Sequence, residues 1–134
     1  MRSPIRLALL LSMLLATPAG TLPAQISQYL PEILEHEHRH NVLIVLATNR
    51  NDDRVFDVHL DLSVRWDAVE RREIFPIDIL PPRRDATALA GVLGVEGESF
   101  ALVLINRQGE IIYRGTDPRG ITEIFRLLDL GERE

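Results

Sequence analysis

The 134-residue chain contains no cysteine and no lysine, and only 5% of it is aromatic. The first absence excludes the most. Thiol–disulfide exchange and peroxide reduction by a protein thiol begin with attack by a thiolate, and no other side chain supplies that nucleophile. Disulfides are excluded on the same ground, so an apolar core must hold the fold by itself. All fifteen basic residues are arginine, the formal charge is -5, and no basic stripe is interleaved with aromatics. A nucleic-acid partner therefore has little support. With so few aromatics, a small core is expected to use most of them, including Trp66. Tyr113, beside Arg114, is expected at an edge with its hydroxyl in water.

What is present begins with a segment that looks like an address. Arg2 and Arg6 precede the run LALLLSMLLA at 7–16, and small residues follow up to Ala24. This is the pattern of a secretory signal peptide. Ten residues at about 1.5 Å each cover about half of a ~30 Å hydrocarbon core, too short for a comfortable span. Cleavage is expected after Ala19 or Ala24, the alternative being an uncleaved anchor. The expected location is the periplasm or the exterior, with no stable membrane anchor after cleavage and, lacking cysteine, no lipid attached through one. About 110 residues then remain, enough for one small domain. The expected organisation is a signal peptide at 1–24, a polar lead-in at 25–40, one domain at 41–130 and a tail at 131–134.

The element pattern is α/β. Val42 to Ala47 (VLIVLA) is a continuous apolar run, as in a strand buried on both faces. Thr48 to Asp53 breaks it with turn-forming and helix-capping residues. Ile74 to Leu80 predicts a second strand, closed by Pro81-Pro82. Asp85 is placed to cap a helix reaching Leu93, with Gly94 near its end. Phe100 to Ile105 and Glu110 to Tyr113 flank Asn106-Arg107-Gln108-Gly109 and predict an antiparallel hairpin. Asp117 and Pro118 suit the start of a last helix whose apolar face is Ile121, Ile124, Phe125 and Leu128.

The segment Arg54 to Arg71 is ambiguous. Val58, Leu60, Leu62, Val64 and Trp66 alternate as in a strand, whereas Val55, Val58, Leu62, Trp66 and Val69 fit a helix. Parallel strands need a crossover of about a dozen residues, usually helical, so a helix is expected. The resulting order, β-α-β-α-β-β-α with a mixed central sheet, is that of a thioredoxin-like core. The chain also resembles the domain-of-unknown-function 4174 family of peroxiredoxin-like domains, which occurs in vertebrate sushi-repeat-containing extracellular proteins. The matching stretches are His40 to Ala47, Glu70-Arg71-Arg72-Glu73, Phe100 to Ile105 with Gly109, and Ile121 to Asp129, so the resemblance covers Asn41 to Asp129. Family members often follow the last Asp with Met-Pro and arginines, whereas Asp129 here leads to Leu130-Gly131-Glu132-Arg133. The resemblance implies a fold, and it carries over no catalytic residue.

Two groups of residues carry candidate chemistry. Loops at the carboxyl ends of parallel strands form the natural crevice of an open sheet. Thr48, Asn49, Arg50, Ser99 and Phe100 should converge there and make a docking site for a protein or peptide. Phe100 serves as an anchor if it is exposed and is core if it points inward. The cis-proline usual before the third strand of thioredoxins is missing from Gly97-Glu98-Ser99. Asp52 and Asp53 should cap the following helix instead of leaving an anion site open. The second group is His36, His38 and His40, which project from one side of an extended segment and suit Zn²⁺, Cu²⁺ or Ni²⁺; the plainer reading is a solvated lead-in. His59 reads as a satisfied, partly buried residue, and Arg83-Arg84 as a solvated turn. Ser27, Ser63 and Ser99 lack a nucleophile-elbow context. Gly91, Gly94 and Gly97 follow a helix where a dinucleotide fingerprint would precede one. No cofactor is implied, and the expected function is non-catalytic binding, the alternative being metal binding.

Overall fold

The structure, a computed structural model, describes residues 39–133; the expected signal peptide, nearly all of the lead-in, His36 and His38 lie outside the described residues. Strand β1 (Asn41–Ala47) is buried at all seven positions, as its apolar run requires. It pairs in parallel with β2 (Ile74–Ile79) and antiparallel with β3 (Phe100–Ile105), and β3 pairs antiparallel with β4 (Ile111–Gly115). The sheet order is β2-β1-β3-β4.

A strand buried on both faces needs a layer on each side, because successive side chains point oppositely. Val42, Ile44 and Leu46 pack with Ala101, Val103 and Ile105 beneath helix α3 (Ala86–Leu93). Leu43, Val45 and Ala47 pack with Phe100, Leu102 and Leu104 under the helices of the other face. Those are α1 (Asp53–Val64) and α4 (Ile121–Arg133), with the short α2 (Trp66–Arg71) following α1. The observed order is the expected one, with the first crossover in two pieces.

The segment 54–71 is thus helical, and Val55, Val58, Leu62 and Val69 are buried. Trp66 is the exception to its stripe. The helix breaks at Arg65, whose φ of -108° and ψ of 31° shift the phase of α2 relative to α1. Trp66 is left 44% exposed, its indole N–H donating to Glu70 Oε1 at 2.7 Å. The expectation of a core tryptophan is corrected accordingly.

Three helix ends also differ from expectation. Asp85 holds the N-cap position of α3 without capping it, because its carboxylate accepts from the Arg83 guanidinium. Asp117 caps a separate turn, accepting from Arg119 N–H at 2.8 Å, and α4 starts only at Ile121. That helix then continues to Arg133, through residues assigned to a tail. Its apolar face, Ile121, Ile124, Phe125 and Leu128, is buried as read. Gly94 ends α3 at φ +77°, and a side chain there would meet the Arg114 guanidinium, whose Nε donates to Leu93 O at 2.6 Å. Tyr113 lies on the edge strand β4, as read. The ring is half-buried, its hydroxyl lies against Gly115 and Gly120, and desolvation pushes its pKa upward, with Asp117 and Glu123 adding to the shift.

Candidate functional site

Where β1 ends, the chain must turn out of the sheet, and its next backbone donor finds a partner across the gap to β3. Thr48 N–H donates to Ser99 O at 3.0 Å, with the Thr48 hydroxyl 3.4 Å from the same oxygen. The expected convergence of Thr48 and Ser99 therefore holds. Asn49 and Arg50 continue outward and are exposed, Asn49 accepting from Asn51 N–H at 2.9 Å. Phe100 is the correction in this group: it is fully buried in the core between the sheet and α1, with the Arg54 guanidinium 5.0 Å above its ring. The inward alternative holds, and Phe100 offers no surface to a partner.

The first turn of α1 closes one side of the site. Asp52 is its N-cap, one carboxylate oxygen accepting from Arg54 N–H at 2.9 Å. The same carboxylate takes the Arg54 side chain through two bonds of 2.9 and 2.7 Å, and Arg54 reaches Ser99 Oγ at 3.0 Å. The hydrogen bonds from Arg54 hold the Asp52 carboxyl below its ordinary range. Asp85 is held down in the same way by Arg83. Both carboxylates stay ionised at neutral pH and neither is suited to donate a proton.

A depression of about 450 Å³ opens beside these residues, between the Thr48–Ser99 junction and α3. Ala47, Pro81, Ala86 and Ala90 give it apolar walls, Thr48, Thr87 and Ser99 give it hydroxyls, and Arg83, Glu96 and Glu98 bring charge to its lining. A second hollow of about 440 Å³, bordered by Arg50 and Asp78, shares Pro81 and Arg83 with it. Together they form a crevice over the carboxyl ends of β1 and β2. Arg83, read from sequence as a solvated turn residue, is the seam between the two halves; Arg84 is exposed as read. Seeing Arg83 here requires knowing that β2 lies beside β1, and Pro81-Pro82 at the end of β2 is the sequence signal that marks the spot.

A further depression of about 320 Å³ lies at the opposite end, between the β3–β4 turn and the last turns of α4. Its charged lining residues are Arg107, held by Glu73 at 2.6 Å, and Glu132. Of the candidate metal ligands only His40 is among the described residues. It is half-buried, its ring 6.1 Å from that of Phe75. Among the described residues, no three His, Asp or Glu side chains gather at one point. His59, half exposed, pairs with Asp78 at 2.7 Å.

This architecture has known counterparts. The chain superposes on the reduced 2-Cys peroxiredoxin of Plasmodium vivax with a TM-score of 0.61 at 13% identity, over 75% of this chain and 82% of that one. Thioredoxin peroxidase I of Plasmodium yoelii gives 0.59 at 16% identity, over 75% and 78%. The fold is thioredoxin-like. No family model matches the chain, and no curated protein matches it. At such identities the likeness is one of fold, and function belongs to the site. Here the site has no cysteine at all.

Proposed function

We propose that the chain is an exported, cysteine-free thioredoxin-like domain that binds a segment of another protein or peptide in the crevice over β1 and β2, without catalysis. One observation carries this reading: an open depression of about 450 Å³ stands at the edge where open α/β sheets bind ligands, and no thiol lines it. Among the described residues no histidine lines it to activate the Thr48 or Ser99 hydroxyl, and Asp52, which caps α1, is paired with Arg54. Apolar walls with hydroxyls and a few charged side chains, Arg83, Glu96 and Glu98, suit a segment of polypeptide. The resemblance of Asn41 to Asp129 to the 4174 family is part of the same proposal. Export rests on the sequence at 1–24, so the mature protein recovered from cells should begin at Gly20 or Gln25. An intact Met1 would contradict that part.

Peptides selected from a random displayed library on the mature protein test the binding. Thr87 is exposed on the crevice wall, and Thr87→Arg should fill it, weakening the selected peptides at least about tenfold, or about 1.4 kcal/mol. Gln108→Arg, at the other end of the sheet, should leave them unchanged. Equal binding by both variants, or peroxidase or disulfide-reductase turnover by the wild-type protein, overturns the proposal.

A further inference from the structure

Helix α1 buries Val55, Val58 and Leu62 and turns a second apolar row away from the core. Phe56, Leu60 and Val64 stand at i, i+4 and i+8 and are 67%, 53% and 77% exposed. They form one stripe about 12 Å long, at 1.5 Å per residue. Single exposed apolar residues are ordinary, but three aligned on the outward face of an amphipathic helix are the mark of a contact surface. Trp66, the chain's only tryptophan, is partly exposed just past the end of the row.

Charge selects the occupant. Asp53 and Asp57, one helical turn apart, border the stripe, and among the described residues their carboxylates enter no ion pair. The next acid in that row, Asp61, is occupied by Arg65 through two bonds of 2.8 and 2.7 Å. On the other border, His59 is turned to Asp78. The stripe thus has one negative edge that no cationic side chain of the described residues pairs with, although Asp53 also faces the positive end of α1. A second copy packed antiparallel on α1 would bring like carboxylates together, and the chain's own lead-in carries Glu32, Glu35 and Glu37. An anionic lipid surface would be repelled as well. An apolar helix face flanked by arginine or lysine satisfies both the stripe and its edge.

We propose that the outward face of α1 docks a cationic amphipathic helix of a partner protein, independently of the crevice. The test is titration of the purified mature protein with a leucine/arginine amphipathic peptide free of tryptophan, monitored by the emission of Trp66. Saturable binding is expected, weakened by about tenfold in Phe56→Ser/Leu60→Ser and by severalfold in Asp53→Asn/Asp57→Asn, the latter with a flatter salt dependence. A glutamate-flanked peptide should not bind. Because all four side chains are exposed or at the rim, the thermal midpoint should hold. If the serine variant does not fold, the asparagine variant, which removes no apolar contact, decides alone. Four results would each overturn the proposal: unchanged binding in the asparagine variant, equal binding of the glutamate peptide, self-association of the wild type that the serine variant abolishes, or binding to phosphatidylglycerol vesicles that it abolishes.

Discussion

The two ends of β1 are closed in different ways. At the amino end, Asn41 is buried, its N–H donating to Glu73 O at 2.8 Å and its side-chain amide to Arg72 O at 2.7 Å. Arg72 in turn grips Asp129 through bonds of 3.0 and 2.9 Å and lies 4.3 Å over the Phe125 ring, so the end of α2, β1 and α4 are tied together. At the carboxyl end, the links from Thr48 and Arg54 to Ser99 are exposed and sit beside an open crevice. A hydrogen bond shielded from water leaves an unsatisfied group when broken, whereas an exposed one is replaced by solvent. One strand therefore has a stabilising end and an accessible end, as expected if binding regions come from the less protected parts of a fold.

The sharpest way to break this comparison is through Phe100, which lies at the open end but belongs to the core. Phe100→Ala should cost about 3–5 kcal/mol, enough to lower the melting midpoint by more than about 12 °C in a domain of this size. A drop of only a few degrees, by calorimetry, would mean that the floor of the open end is not core. Asn41→Ala at the closed end should cost less, about 1–3 kcal/mol, by stranding Arg72 O. A neutral result in urea unfolding would remove the distinction between the two ends.

Smaller still is the effect of Asp52. Its hydrogen bonds from Arg54 depress the native pKa below the unfolded value of 3.8. A carboxylate depressed in this way stabilises the fold above the unfolded pKa, and the contribution disappears as pH falls through the native one. Asp52→Asn keeps a good N-cap residue, so stability at pH 7 should change little. Below 3.8 the variant's stability should fall less steeply with pH than the wild type's. Parallel acid-unfolding curves for the two proteins would show that the pair adds nothing.

The layering of the sheet is legible in the sequence because β1 and β3 are apolar at successive positions, a pattern that only a strand covered on both faces tolerates. The same property hides the direction of Phe100, since a strand buried on both sides gives no alternation from which to read it. Topology settles 54–71 where periodicity does not. Trp66 escapes its stripe because the helical count does not carry across Arg65, and arginine is an ordinary helix former that marks no break. Asp85 and Asp117 have the type and position of helix caps. Their carboxylates go instead to Arg83 and to a separate turn, competition between local partners that spacing does not rank. Thr48 and Ser99 are within reach of the sequence because strand ends can be counted. Arg54 and Arg83 are not, because their roles depend on which strands become neighbours.

The most direct test of the account is to map a selected peptide on the mature protein by amide NMR. Shifts should cluster at Thr48, Ser99, Gly97 and the first turns of α3, be lost in Thr87→Arg, and leave Asn41, Arg72 and Asp129 untouched. Shifts centred on the Asn41–Arg72–Asp129 end, with the crevice amides unmoved, would contradict it.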